Sequence, residues 1–233
     1  MAGWTLTARV LLQTLGGSMG QLIDGVARRD TPERTDARII GWASRVMETV
    51  NVQLEVRGRE LIPPGQAVVL MSNHQSHLDI PILFVSFGGR LRMVAKRELF
   101  RIPLFGPAMR RAGIVEVDRS GDRDKARAAM SSAAEAIAGG TSIWIAPEGT
   151  RSEDGRLGPF KKGGFLLAKQ ARAPIVPVAI DGSRHILPKH ARSMQPGVPV
   201  TVTFGGPIAP DRPVEALMAA VRAHLEANVS DAV

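Results

Sequence analysis

The sequence contains no cysteine and no tyrosine, and only 4% of its residues are aromatic. The lack of cysteine excludes disulfides, thiolate metal sites and a cysteine nucleophile, and it fits a reducing compartment. The scarcity of aromatics, with no basic stretch interleaved among them, leaves out the stacking platforms of single-strand nucleic-acid binders. A P-loop is absent, since no Gly-x-x-x-x-Gly-Lys-Ser/Thr occurs. A serine hydrolase is set aside because no Gly-x-Ser-x-Gly nucleophile elbow is expected. No stretch is suited to crossing a bilayer. The longest uncharged run, Val10 to Ile23, has 14 residues and includes Gln13, Thr14, Ser18 and Gln21. The small-residue cleavage pattern of a signal peptide is also missing.

What is present is a globular balance, 44% apolar and 22% charged over 233 residues, enough for one large α/β domain with a small appendage. The net charge of +8 favours anionic partners: nucleic acid, a negatively charged membrane or a phosphorylated substrate. Residues 3–27 carry apolar side chains at helical spacing, and a second helix is expected from Thr31-Pro32 to about Val50, with Ile39, Trp42, Ala43, Val46, Met47 and Val50 on one face. Together they make an N-terminal two-helix element, residues 1–50. With Trp4, Trp42 and the flanking Arg28, Arg29, Arg34 and Arg38, it suits a membrane interface; packing on its own domain is the alternative, and both hold if they use different faces.

From residue 51 to 233 short apolar runs alternate with helical segments. Strands are expected at 52–57, 67–72, 91–95, 113–117, 142–146, 175–180 and 199–204, and helices at 80–87, 122–138, 163–171 and 213–228. That alternation predicts a single α/β domain with a roughly seven-stranded mixed sheet flanked by helices. Ile102-Pro103-Leu104-Phe105-Gly106 reads as an apolar loop. Several strands end in polar clusters, and ligands of α/β sheets bind where parallel strands end.

The stretch from Asn73 to Asp79, Asn-His-Gln-Ser-His-Leu-Asp, lies between an expected strand and an expected helix. On one helix His74 and Asp79 would point about 140° apart, so a strand-to-helix turn is the geometry that joins them. An Asp bonded to one imidazole nitrogen fixes the tautomer and leaves the other nitrogen as a base. The alternatives are a plain helix cap by Ser76 or Asp79, and a metal site using His74, His77 and Asp79, for which no second histidine cluster completes the set. Between Arg90 and Lys125 there are ten Lys/Arg and five Asp/Glu, to which Lys161 and Lys162 add charge. An arginine at a strand end grips phosphate well, whereas Glu148 and Arg151 are placed to pair with each other. A base without a protein nucleophile, beside anion-binding groups, lets a substrate hydroxyl attack.

Four segments occur in the order of the four blocks of the glycerolipid acyltransferases: Asn73-His74 with Asp79, Gly113 to Arg119, Pro147-Glu148-Gly149-Thr150-Arg151-Ser152, and Ile175-Val176-Pro177-Val178-Ala179-Ile180. Over roughly residues 50–210 the chain resembles the bacterial 1-acylglycerol-3-phosphate acyltransferases. The resemblance implies transfer of a fatty acyl group from acyl-CoA or acyl carrier protein to a lysophospholipid hydroxyl, in phospholipid biosynthesis. It implies no cofactor, no metal, no nucleic acid and no covalent acyl-enzyme. It implies a peripheral or monotopic place on an anionic membrane surface, at the cytoplasmic face of the cell membrane. By the same resemblance His74 is the general base and Asp79 its orienting partner, while Arg119, Glu148, Gly149, Thr150 and Arg151 bind the acceptor. Lys96 matches a lysine in the family's Ala-Lys-x-Glu-Leu segment. Two positions depart from the pattern and bear on the acceptor: Ala146 stands where Phe is usual, and Glu116 where an apolar or aromatic residue is usual. Two other readings stay open: an acyltransferase for another lysolipid, such as lyso-ornithine lipid or glycerophosphate, and a catalytically silent lipid-binding protein.

Overall fold

The computed structural model describes residues 3–118 and 122–230. Its first elements are two helices, α1 (Gly3–Val26) and α2 (Pro32–Val50). α2 starts where the sequence supplies both signals. The Thr31 hydroxyl accepts from the Arg34 N–H at 3.3 Å, and Pro32 takes an early position where a missing N–H costs nothing. The helix stops at Asn51, whose φ of 54° is left-handed. The chain then passes through β1 (Gln53–Arg57), β2 (Val69–Ser72), α3 (Asp79–Phe87), β3 (Leu91–Lys96), α4 (Phe105–Arg111), β4 (Val115–Val117), α5 (Arg123–Ala138), β5 (Ser142–Ile145) and α6 (Gly163–Ala171). It ends with β6 (Ile175–Asp181), α7 (Ser183–Ile186), β7 (Pro199–Phe204) and α8 (Val214–Asn228).

The seven strands lie in the order β1-β7-β6-β2-β5-β3-β4. β6, β2, β5, β3 and β4 are mutually parallel, β7 runs antiparallel to β6, and β1 runs parallel to β7. The sheet is therefore mixed, and it sits between two helical layers. Alternation along each strand divides the core. Leu70, Val176, Val178 and Ile180 pack with residues of α1 to α4, while Met71, Ile143, Ile175 and Ala179 pack with α5, α6 and α8. β2 lies at the centre, flanked by β5 and β6; the chain leaves it towards β3, and the later connection from β5 to β6 passes over it. The loops after β2 and β5 thus open where the connections diverge, the usual place for a ligand crevice.

Three local expectations change. The stretch 102–106 is not a loop throughout. Leu104, with φ 64° and ψ −49°, makes a strained γ-turn closed by the Phe105 N–H on the Pro103 carbonyl at 2.7 Å, and α4 begins directly after it. Gly106-Pro107 reads as a helix breaker, yet a first turn tolerates both because its N–H groups have no intrahelical partner. The strand expected at 113–117 is shortened to Val115–Val117, since Gly113 is left-handed at φ 74°. Of the side chains suited to a membrane interface or to packing on the domain, Trp42 takes the second role: it is turned against α1, its Nε1 donating to Thr14 Oγ1 at 3.1 Å. Arg34 and Arg38 both pair with the buried Asp24, and these bonds hold its carboxyl down to about 2. Trp4, Leu12, Ile23 and Val26 keep their place on the outer face of α1, each more than half exposed.

Asn73 extends the sheet past the last residue of β2. Its Nδ2 donates to the Ile180 carbonyl and its Oδ1 accepts from the Ile180 N–H, both at 2.8 Å. The Asn73→Ala variant leaves both buried groups of Ile180 without partners, and is expected to lose about 2–4 kcal/mol in urea unfolding. A loss under about 0.5 kcal/mol, the scale of an ordinary surface change, would show that this splice is not structural.

Candidate functional site

The turn between β2 and α3 is wrapped around one carboxylate. Asp79 is the first residue of α3 and is fully buried. Its Oδ2 receives the Gln75 N–H at 2.8 Å, the Ser76 N–H at 2.9 Å and His74 Nδ1 at 2.7 Å. The carboxylate reaches backward onto the turn, so it does not act as a cap for its own helix. The Ser76 hydroxyl accepts from the Leu78 N–H and donates to the Leu187 carbonyl, tying the turn to the segment after α7. The His74 ring stands perpendicular to that of Trp144, with centroids 5.8 Å apart, and its side chain is 19% exposed. Trp144 is held in turn by its Nε1–H bond to Ser72 Oγ at 2.9 Å.

The loop after β5 clamps the backbone of residue 74 from both sides. The His74 N–H donates to Glu148 Oε1 at 3.2 Å, and the His74 carbonyl accepts from the Ser152 N–H at 2.7 Å. Glu148 Oε2 accepts from the Gly158 N–H at 2.9 Å. Both oxygens of this buried carboxylate serve backbone groups, and burial raises its pKa against those two bonds. Glu148 therefore lies behind the histidine and does not pair with Arg151. Gly149 turns the loop at φ 72°, which favours glycine, and Thr150 is exposed at its tip.

Arg151 and Lys96 make no ion pair with any described residue, in contrast to most cations nearby. Arg90 and Arg92 are bound by Asp36, Arg97 by Asp118, Arg110 by Glu116, and Arg111 by Asp30. Partial burial lowers the pKa of Arg151 while Asp79 raises it. Both cations act on His77. Although His77 is exposed, desolvation, then Arg151 and His74, push its pKa from 6.5 down to about 4; Asp79 opposes this and Lys96 adds to it. Arg119 lies outside the described residues. The structure thus brings together His74, Asp79, Arg151 and, at the end of β3, Lys96.

Beside the turn an apolar groove of about 390 Å³ begins at His77 and Leu78 and runs beneath α1 past Trp42, Phe84 and Met109 towards Gln21 and Arg38. A larger cleft, of about 500 Å³, lies along β4 and α5, but its charged residues Arg97, Arg110, Glu116, Asp118 and Lys125 pair among themselves. Trp144 and the groove are not signalled by the residue pattern alone, His77 enters there only as a metal-ligand alternative, and Ser152 lies within the Pro147–Ser152 block without a separate role.

The arrangement supports one kind of chemistry. When His74 is neutral, the Asp79 carboxylate requires the proton on Nδ1, which leaves the Nε2 lone pair for a proton from a bound hydroxyl. No described side chain makes a hydrogen bond to Nε2. Contrary to the expectation that no Gly-x-Ser-x-Gly string occurs, Gly16-Gly17-Ser18-Met19-Gly20 has that spacing, but it lies inside α1, where Ser18 Oγ donates to the Thr14 carbonyl at 2.8 Å. It is not on a strand-to-helix turn and does not meet the histidine. Among the described residues no three His, Asp or Glu side chains converge in a way that would hold a metal.

A sequence model of the Acyltransferase family matches residues 53–181. Among curated proteins, the chloroplastic 1-acyl-sn-glycerol-3-phosphate acyltransferase BAT2 of Brassica napus is 39% identical over 135 residues, covering 58% of this chain and 39% of its own. The human 1-acyl-sn-glycerol-3-phosphate acyltransferase alpha is 36% identical over 146 residues, covering 63% of this chain and 52% of its own. The chain thus spans about half the length of the human relative and less of the plant one. The crystal structure of the 1-acyl-sn-glycerophosphate (LPA) acyltransferase PlsC from Thermotoga maritima superposes with a TM-score of 0.74 at 27% identity, covering 95% of both chains.

The depressed pKa of His77 has a consequence for stability. Between about pH 6.5 and 4 the unfolded chain takes up a proton on His77 that the folded chain refuses, so this residue makes stability fall with pH through that window. His77→Gln is expected to flatten that part of the melting temperature against pH, relative to the parent protein. Parallel curves would show that His77 titrates normally in the fold.

Proposed function

The chain belongs to the Acyltransferase family, and on that premise we propose that it transfers a fatty acyl group from acyl-CoA or acyl carrier protein to the free hydroxyl of a lysophospholipid. The acceptor we assign is 1-acylglycerol-3-phosphate and the product phosphatidate. The observation that carries this reading is the His74–Asp79 pair: among the described residues no side chain bonds Nε2, Arg151 and Lys96 make no ion pair, and an apolar groove opens at the same turn.

His74 Nε2 takes the acceptor's hydroxyl proton as the oxygen attacks the thioester carbonyl. The tetrahedral intermediate then breaks its C–S bond, and the departing thiolate takes the proton from the imidazolium. The acyl group passes directly to the acceptor, with no acyl-enzyme. Asp79 stabilises the imidazolium through the Nδ1–H bond, as in other histidine bases held by a buried carboxylate. Arg151 and Lys96, joined through the family resemblance by Arg119, receive the acceptor's phosphate, where a guanidinium offers two parallel donors. The groove under α1 takes an acyl chain, and no cofactor enters the scheme.

Such substrates reside in a bilayer. None of the helices among the described residues is long and apolar enough to cross one. The exposed apolar face of α1, with Leu12, Ile23 and Val26, suits shallow insertion instead, and the net positive charge suits an anionic surface. We place the enzyme at the cytoplasmic face of the membrane on this basis.

The test is thiol release from palmitoyl-CoA, with and without lysophosphatidate. Acceptor-dependent release by the parent protein is expected to fall about 10²- to 10⁴-fold in His74→Ala, the usual scale of general-base catalysis. Arg151→Ala is expected to raise the acceptor KM for lysophosphatidate more than for a phosphate-free lysolipid. Parent-like turnover by His74→Ala would overturn the mechanism, and equal KM effects on both acceptors would overturn the phosphate assignment.

A further inference from the structure

α8 lies beyond the segment 53–181 that carries the family match. Its buried stripe, Leu217, Val221 and Leu225, packs on the sheet. Arg222, beside that stripe, points instead to the loop before α6. Its Nη2 donates to the Gly158 carbonyl at 2.6 Å, and its guanidinium carbon stands 4.4 Å from the centroid of the Phe160 ring. Phe160 stacks on Phe165 of α6, which is fully buried, so the platform beneath the guanidinium is itself anchored. Arg222 also meets Glu226 one helical turn on, at 3.3 Å, a pairing of small worth on an exposed helix face.

The same Gly158 that accepts from Arg222 gives its N–H to Glu148 Oε2, and Glu148 Oε1 receives the His74 N–H. A continuous hydrogen-bonded path therefore runs from α8 through the 157–160 loop and the buried Glu148 to the backbone of the histidine. There is little slack in it: a Cβ at Gly158 would lie 3.3 Å from Glu148 Oε2. A solvated surface arginine would have neither the carbonyl bond nor the ring platform.

We propose that Arg222 is a positioning residue for His74, acting through Gly158 and Glu148, and that α8 is thereby part of the support of the active site. The histidine's backbone is held at its carbonyl by Ser152 and at its N–H by Glu148, so loss of Arg222 weakens the loop support behind the second of these two points. Small displacements of a catalytic group cost rate steeply even when the mutated residue is remote from the chemistry.

The kinetic part of the test rests on the acyl-transfer reading, and hydrogen exchange does not. Arg222→Met keeps much of the stem's apolar contact and removes the donor. It is expected to lower kcat about tenfold with the acceptor KM changed less than about twofold, the pattern of an interaction that serves turnover and not binding. Arg222→Lys, which retains a cationic donor, is expected to recover part of that loss. In an E148Q background the Arg222→Met change is expected to cost far less than in the parent, as coupled positions do. Amide exchange should quicken in the peptides around Gly158 and His74 and stay unchanged in β6. Parent-like kcat with unchanged exchange in Arg222→Met would overturn the proposal. So would full additivity with E148Q, or exchange that quickens across the whole sheet. If the parent protein transfers no acyl group, the reaction assignment fails by itself, and exchange around Gly158 and His74 decides the role of Arg222.

Discussion

Three N–H groups converge on one buried oxygen, Asp79 Oδ2, and the site depends on that convergence. A carboxylate taken out of water without partners would be expensive to keep ionised. Here the turn supplies two backbone donors and the histidine supplies the third. The same bonds that make burial of Asp79 tolerable bend the chain between β2 and α3 and set the orientation of the imidazole. Folding and chemistry therefore ask the same thing of this residue. The helix behind it is short and almost wholly apolar, so α3 serves as a buried pedestal whose first residue carries the charge.

Around that point the fold supplies restraint from several directions. Asn73 pins the start of the turn to β6, Ser76 ties it to the segment after α7, and the loop after β5 holds residue 74 at both backbone groups. A general base gains from being held in one geometry before substrate arrives, because the ordering is then a cost of folding and not of each turnover. Charge is distributed by the same logic. The basic excess around β3 and β4 is largely tied up by carboxylates brought from α2, from the α1–α2 connection and from β4 itself, which leaves Lys96 and Arg151 available beside the histidine. Net charge alone could not have separated the two kinds of cation.

The sheet was legible because its strands are short β-branched runs between turn residues, and each expected strand lies within two residues of an observed one. α4 was not legible, since Gly106-Pro107 looks like an interruption until the tight contact of Gly106 with the Phe100 carbonyl is visible. Residue type leaves Trp42 open to a membrane interface or to packing on its own domain, and only the fold shows its indole bonded to a hydroxyl on the neighbouring helix. The His74–Asp79 pair was legible from spacing, because only a turn brings the two together. The place of Glu148 was not: a glutamate beside an arginine suggests an ion pair, and only the fold shows two backbone N–H groups claiming its oxygens. Arg222 gave no local signal at all, being one arginine on an amphipathic helix more than 140 residues after His74.

The most direct test is nitrogen NMR of the histidine rings, with the His74 signals identified by comparison with His74→Ala. In its neutral form His74 should carry its proton on Nδ1, with Nε2 unprotonated, and Asp79→Ala should abolish that preference. A neutral His74 protonated on Nε2 in the parent protein would contradict the account, because the nitrogen assigned to take the substrate's proton would already hold one.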